Sequence, residues 1–343
     1  MRAYLKLIST ACLTLAAGLS GAQTLYVGGS GGSTEKLIKE KIIPSFEART
    51  GAKVVYVPGN STDILAKVRA QQGKQELSVA LIDDGPMYQA VGLGLCAALE
   101  DGPVYKELYP NAKMIGGKSI GTGFIATGLG YNKDVFAKNG WAAPTSWNDL
   151  MDPKFKGKVS IPPITNGYGL LTLVMMARLN GGGEANIDPG FDTMIKKVAP
   201  NVLAWEPSPG KMAQMMQTGE AALVVWGNGR VLSVADQGAP VEFVYPKEGA
   251  VVIMTAACPV AGAPQPKLAQ QFVQHMVSAE VQAALATGVG FGPVNKSAKL
   301  APEIEKRVVF GPEKVSKLIS PNYDIINVKR AEWTQRWNRA VEK

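Results

Sequence analysis

The sequence predicts an α/β chain folded as two lobes, each a sheet flanked by helices, with two strands crossing between them. Three observations lead there. Residues 24–99 repeat strand, turn and helix, the pattern of a doubly wound parallel sheet. The segment IGTGFIATGLGYN (120–132) then runs extended with no helix directly continuing the pattern, as a crossover would. Residues 221–260 finally return with three apolar runs broken by turn residues. The expected lobes are residues 23–124 with 246–343, and residues 125–245. A length of 343 residues fits two domains, and 46% apolar with 19% charged residues supports sizeable cores and argues against disorder.

The first 22 residues read as a secretory signal. Arg2 and Lys6 precede an apolar run, Leu7 to Leu19, and Ser20-Gly21-Ala22 offers a small-residue cleavage site. The run is too short to span a bilayer comfortably, so cleavage after Ala22 and an exported, periplasmic chain are expected.

Thr24 to Val27 is the first strand. The turn Gly28 to Thr34 feeds a helix opened by Glu35, with Ser33 or Thr34 as its cap. A Gly-rich turn at a helix start presents free N–H groups to an anion, through Ser30, Gly31 and Ser33, although it equally serves as a plain tight turn. It is neither a Walker loop nor GxGxxG. Ala52 to Val57 is the second strand, followed by a turn with Asn60 and Ser61 and a helix from Asp63 to Gln72. Ser78 to Ile82 is the third, with Asp83 and Asp84 at its carboxyl end. Two adjacent acids there suit an ammonium or hydroxyl, or cap the next helix, Pro86 to Leu99.

The second lobe begins after the crossover. Trp147 starts a short helix. Val159 to Ile161 is a strand whose end carries Thr165, Asn166 and Tyr168, followed by a strongly apolar helix to Leu179. Pro189 to Val198 is helical, Val202 to Trp205 a strand, and Ser208-Pro209-Gly210 starts the helix Lys211 to Thr218. Met212, Met215 and Met216 lie at helical spacing, which reads first as core.

The run Ala222 to Trp226 is short enough for a buried strand, and Gly227, Asn228 and Gly229 break it. A short helix follows and stops at Gly238. Val241 to Tyr245 is the next strand. Val251 to Ala257 is apolar on both faces, as buried parallel strands are. These strand ends carry Trp226, Asn228, Arg230, Glu248 and Thr255, and ligands in open α/β sheets sit outside the carboxyl ends of strands. Helices complete the chain, the last from Arg330 to Val341, with Trp333 and Trp337 docking it on the core.

The stretch WGNGR…VYPKEGAVVIMTAACPV, together with SWNDLMDPKFKGKV and GFGPVN in the same chain order, resembles the bacterial spermidine/putrescine-binding proteins. These are a polyamine-like branch of the periplasmic solute-binding proteins of ABC transporters. The resemblance implies a type II periplasmic-binding-protein fold that closes about its hinge on a small-molecule solute. It also implies delivery to permease subunits in the inner membrane, and an aromatic ligand contact at Trp226. The polyamine binders place an aromatic residue and an Asp where this chain has Ile253 and Thr255. Thr cannot hold an ammonium with charge, so the resemblance carries the branch further than the ligand.

Composition excludes other classes. Formal charge is +8, of which Arg2 and Lys6 supply two, leaving +6 after processing. The basic residues are scattered, without the aromatic interleaving of a nucleic-acid surface. The single histidine, His275, has no sequence partner for triad chemistry and rules out a multi-histidine metal site. No tyrosine pair of the kind iron-binding relatives use occurs. Cys96 and Cys258 form a disulfide or remain two buried thiols. No cofactor or metal is expected, and the chain reads as a monomer. Its solute is expected to be carboxylate-bearing and amino-acid-like or opine-like, with Arg230 supplying a planar fork for the anion. Arg230 also admits an ordinary surface salt bridge. A polyamine is the alternative ligand. An exported transferase or hydrolase on the same fold is the alternative class, and no nucleophile with a base supports it.

Overall fold

The computed structural model describes residues 23–342. The expected signal segment, residues 1–22, lies outside the described residues.

The strands are β1 (Thr24–Gly29), β2 (Lys53–Pro58), β3 (Val79–Asp83), β4 (Ile120–Asn132), β5 (Val159–Ile161), β6 (Val202–Trp205), β7 (Leu223–Gly227), β8 (Val241–Val244) and β9 (Val251–Pro259). They run in the order β2-β1-β3-β9-β4-β7-β5-β6, with β8 paired to β4. One wing is parallel, β2-β1-β3. The other is parallel across β7-β5-β6. Antiparallel β9 and β4 join them.

These two strands are the crossovers. β4 is 13 residues long. Its first part, Ile120 to Thr127, pairs with β9, and its second part, Thr127 to Tyr131, with β7. Thr127 is the point of transfer, opposite both Val251 and Gly227. Side chains alternate along a strand, and β9 uses that alternation to serve two cores. Val252 and Met254 belong to one apolar cluster, Val251 and Ile253 to the other. This explains why the segment reads as apolar on both faces. The expectation of a parallel strand is corrected: β9 is antiparallel to both neighbours. β8 pairs only with the far end of β4.

The first core packs β1, β3 and the helices Pro266–Met276 and Ala279–Val289 around residues such as Leu25, Phe46, Met87 and Phe272. The second gathers Trp147, Phe155, Phe191 and the helix Gly167–Leu179, buried without a break from Gly169 to Ala177. The methionines 212, 215 and 216 sit in a third, smaller core with Trp226 and Val231. Cys96 and Cys258 form a disulfide, tying the end of β9 to the chain just after the helix Asp84–Gly92. His275 is buried and bonded to Ser45, Arg49 and the Ile42 carbonyl, a structural position.

The last helix, Tyr323–Ala340, starts seven residues before the expected Arg330. Asn322 caps it, accepting from the Ile325 N–H at 3.3 Å. Its packing reaches both cores. Trp333 and Trp337 are buried in the second core, and Trp337 stacks edge-on with Trp205 at 4.9 Å. Its first turns reach the other way, where Tyr323 packs on Tyr88 and Asn327 bonds Gln89 and the Gly85 carbonyl. The helix therefore touches both sides of the crossover.

Candidate functional site

A cavity of about 840 Å³ lies where the carboxyl ends of β1, β2, β3, β5 and β7 converge. The chain turns into a helix after each of these strands, so helix starts and their free N–H groups line the space.

From the β1 side come Ser30, Gly31 and Ser33, on the turn before the helix that opens at Ser33. Tyr56 anchors that turn by donating to the Ser30 carbonyl at 2.8 Å. Asn60 and Ser61 follow β2. Ser61 Oγ accepts from the Asp83 N–H at 3.1 Å, locking two strand ends together. From the other side come Thr165, Asn166 and Tyr168. Asn166 caps its helix, with Oδ1 accepting from the Tyr168 N–H at 3.0 Å. Trp226 and Ile253 give the cavity apolar wall, both buried. Thr255 reaches it from β9, with Oγ1 3.0 Å from Oγ1 of Thr122 on the neighbouring crossover strand.

The two acids at the carboxyl end of β3 divide their work. Asp83 borders the cavity half-buried. Burial pushes its carboxyl above the ordinary range, while Ser61, Arg230 and Arg330 pull it down. Asp84 also borders the cavity, but its oxygens are taken. They accept from the N–H of Gly85 at 3.0 Å and of Met254 at 3.1 Å, with the Tyr323 hydroxyl nearby. Burial pushes Asp84 up to about 7.

Arg230 stands in the first turn of the helix Asn228–Asp236, half-buried, with the Tyr168 phenol near it. Burial pushes the Tyr168 phenol up to about 12. Gly227 leaves room for that hydroxyl, because a Cβ there would collide with it.

Two expected residues are corrected. Asn228 is fully buried and faces away from the cavity: Oδ1 accepts from the Ala126 N–H at 3.1 Å and Nδ2 donates to the Gly290 carbonyl at 3.2 Å. It is a strand-to-helix tie. Glu248 lies outside the cavity, where its carboxylate accepts from the Ser146 hydroxyl and, at 3.2 Å, from the Trp147 N–H. An acid at that strand end satisfies a helix start. Lys211 pairs with Glu206 at 3.2 Å.

The structure adds cavity residues that the sequence did not single out, chiefly Tyr323, Arg330, Arg307 and Glu206. Arg330 and Tyr323 come from the C-terminal helix. The available signal was Asn322 followed by Tyr323 and Asp324, a capping residue with an acid in the first turn, which extends that helix back toward the cleft. No group of three or more His, Cys, Asp or Glu able to hold a metal occurs among the described residues.

Two α/β wings joined by a pair of antiparallel crossover strands, with a mixed-charge cavity between them, define a two-lobed solute-binding protein of the type II periplasmic class. Residues 41–311 match the family model of bacterial extracellular solute-binding proteins, and the chain belongs to that family. It is 24% identical over 314 residues to a spermidine/putrescine-binding periplasmic protein of Haemophilus influenzae, covering 89% of this chain and 83% of that one. It is 27% identical over 206 residues to a putative 2-aminoethylphosphonate-binding periplasmic protein of Salmonella typhimurium, covering 58% of this chain and 59% of the relative. Among solved structures, the Atu4243 GABA receptor superposes with a TM-score of 0.77 at 22% identity, covering 92% of this chain and 97% of the other. No helix among the described residues is long and apolar enough to cross a membrane.

Proposed function

We propose that the chain is the exported binding component of an ABC importer, capturing a small amino-acid-like solute with an ammonium at one end and an oxyanion at the other. The observation that carries this reading is one cavity holding Arg230 and Asp83, supplied by opposite wings of the sheet. Arg230 offers a planar fork to the anion, and Asp83 a carboxylate to the ammonium. Trp226 and Ile253 cover the apolar spacer. Aminoethylphosphonate and GABA, for which two of the similar proteins are named, are molecules of this plan.

Capture is reversible and breaks no bond. Lobes 23–124 with 246–343 and 125–245, with the C-terminal helix lying against both, rotate about β4 and β9. The solute drives closure by binding the closed form more tightly. The closed surface then meets the permease.

Thermal-shift screening of ω-amino acids, aminophosphonates, opines, polyamines and organic acids, followed by solution scattering, tests the reading. Zwitterions should raise the melting temperature and shrink the particle. A response to polyamines alone would replace this ligand class with the polyamine one, and an unchanged scattering curve with a bound solute would reject closure.

A further inference from the structure

Seven charged residues line the cavity, and most are already spoken for. Arg307 grips Asp236 with two contacts of 2.8 Å. Glu206 holds Lys211 and the Ser208 N–H. Asp84 has both oxygens occupied by backbone donors. Asp83, Arg230 and Arg330 remain.

Arg230 and Arg330 both line the cavity, and among the described residues neither has a carboxylate within ion-pair distance, unlike Arg178, Arg307 and Arg336. Among the described residues Arg330 makes one hydrogen bond, donating from Nη2 to the Thr165 carbonyl at 3.2 Å. A guanidinium has five donors, so most of its fork is open. The trio carries one net positive charge. A carboxylate zwitterion, neutral overall, leaves that charge uncompensated, whereas a zwitterion with a doubly ionised oxyanion cancels it. The convergent helix starts add partial positive charge in the same sense.

We infer that Arg330 is a second anion anchor and the specificity-determining residue of the site, selecting a phosphonate- or phosphate-type dianion over a carboxylate. This rests on the zwitterion reading above and sharpens it. Arg230 approaches from the helix after β7 and Arg330 from the C-terminal helix, so a tetrahedral oxyanion with three oxygens can use both forks. A planar carboxylate with two oxygens is satisfied by one.

Calorimetric titration with β-alanine and 2-aminoethylphosphonate tests this, because the two probes share their ammonium and spacer. At pH 8 the wild-type chain should bind the phosphonate at least about tenfold more tightly. Arg330→Gln should erase most of that preference while changing β-alanine binding only slightly, and Arg330→Lys, which keeps the charge, should restore part of it. If Arg330→Gln fails to fold, the wild-type preference and the Lys variant still decide. A wild-type preference for β-alanine, or equal losses for both probes in the variants, would overturn the second-anchor role and leave the zwitterion reading standing. Binding of neither probe would overturn both.

Discussion

The Met254 N–H on β9 donates to Oδ2 of Asp84 at 3.1 Å. An acid at a strand end is thereby tied to a crossover strand, in a place where burial dominates and pushes its carboxyl up to about 7. A raised carboxyl favours the protonated form in the folded chain. The stabilisation is complete below the ordinary value of 3.8 and is lost as pH rises through about 7. Asp84→Asn, neutral at every pH, should remove this dependence. The melting temperature of the variant minus that of the wild type should climb between pH 4 and pH 8. A difference that stays flat would mean Asp84 is ionised throughout.

Arg230→Ala should weaken binding of an oxyanionic solute by about 1.5–3 kcal/mol, the range for a hydrogen bond to a charged group. Titration calorimetry reads it directly. Unchanged affinity would remove Arg230 from the site.

Thr255→Asp should weaken binding of an oxyanion and not improve it, since it puts a carboxylate on the cavity wall beside Thr122. Tighter anion binding in the variant would contradict the placement of Thr255.

Glu248→Ala should act on stability alone. The Ser146 hydroxyl and Trp147 N–H lose their acceptor, which costs about 1–3 kcal/mol. Denaturant melts should show the loss while solute affinity stays at the wild-type value.

Replacing Cys96 and Cys258 together by Ser should lower stability by about 2–5 kcal/mol, because the bridge closes 162 residues of sequence and constrains the unfolded chain. Equal denaturation midpoints for the two forms would count against this.

The architecture was legible because apolar run lengths and glycine breaks report local conformation. The strand ends at Asp83, Tyr168 and Trp226 were visible for the same reason. Asn228 and Glu248 were misplaced because an amide or carboxylate at a strand end serves backbone capping as readily as a ligand, and sequence does not separate the two. Arg330 was missed for a different reason. It lies far along the chain in a charged helix whose start is marked only by the cap at Asn322 and Asp324, and its position depends on how Trp333 and Trp337 dock. The direction of β9 was misjudged because two-faced apolarity arises both in a buried parallel strand and in one shared by two cores.

The C-terminal helix has a practical consequence. Val328, on the same helix as Tyr323 and Arg330, is 79% exposed. An environment-sensitive dye on a cysteine there would sit on the helix that carries Tyr323 and Arg330 without entering the binding space. The chain thus offers a ready attachment point for an optical sensor of its own solute.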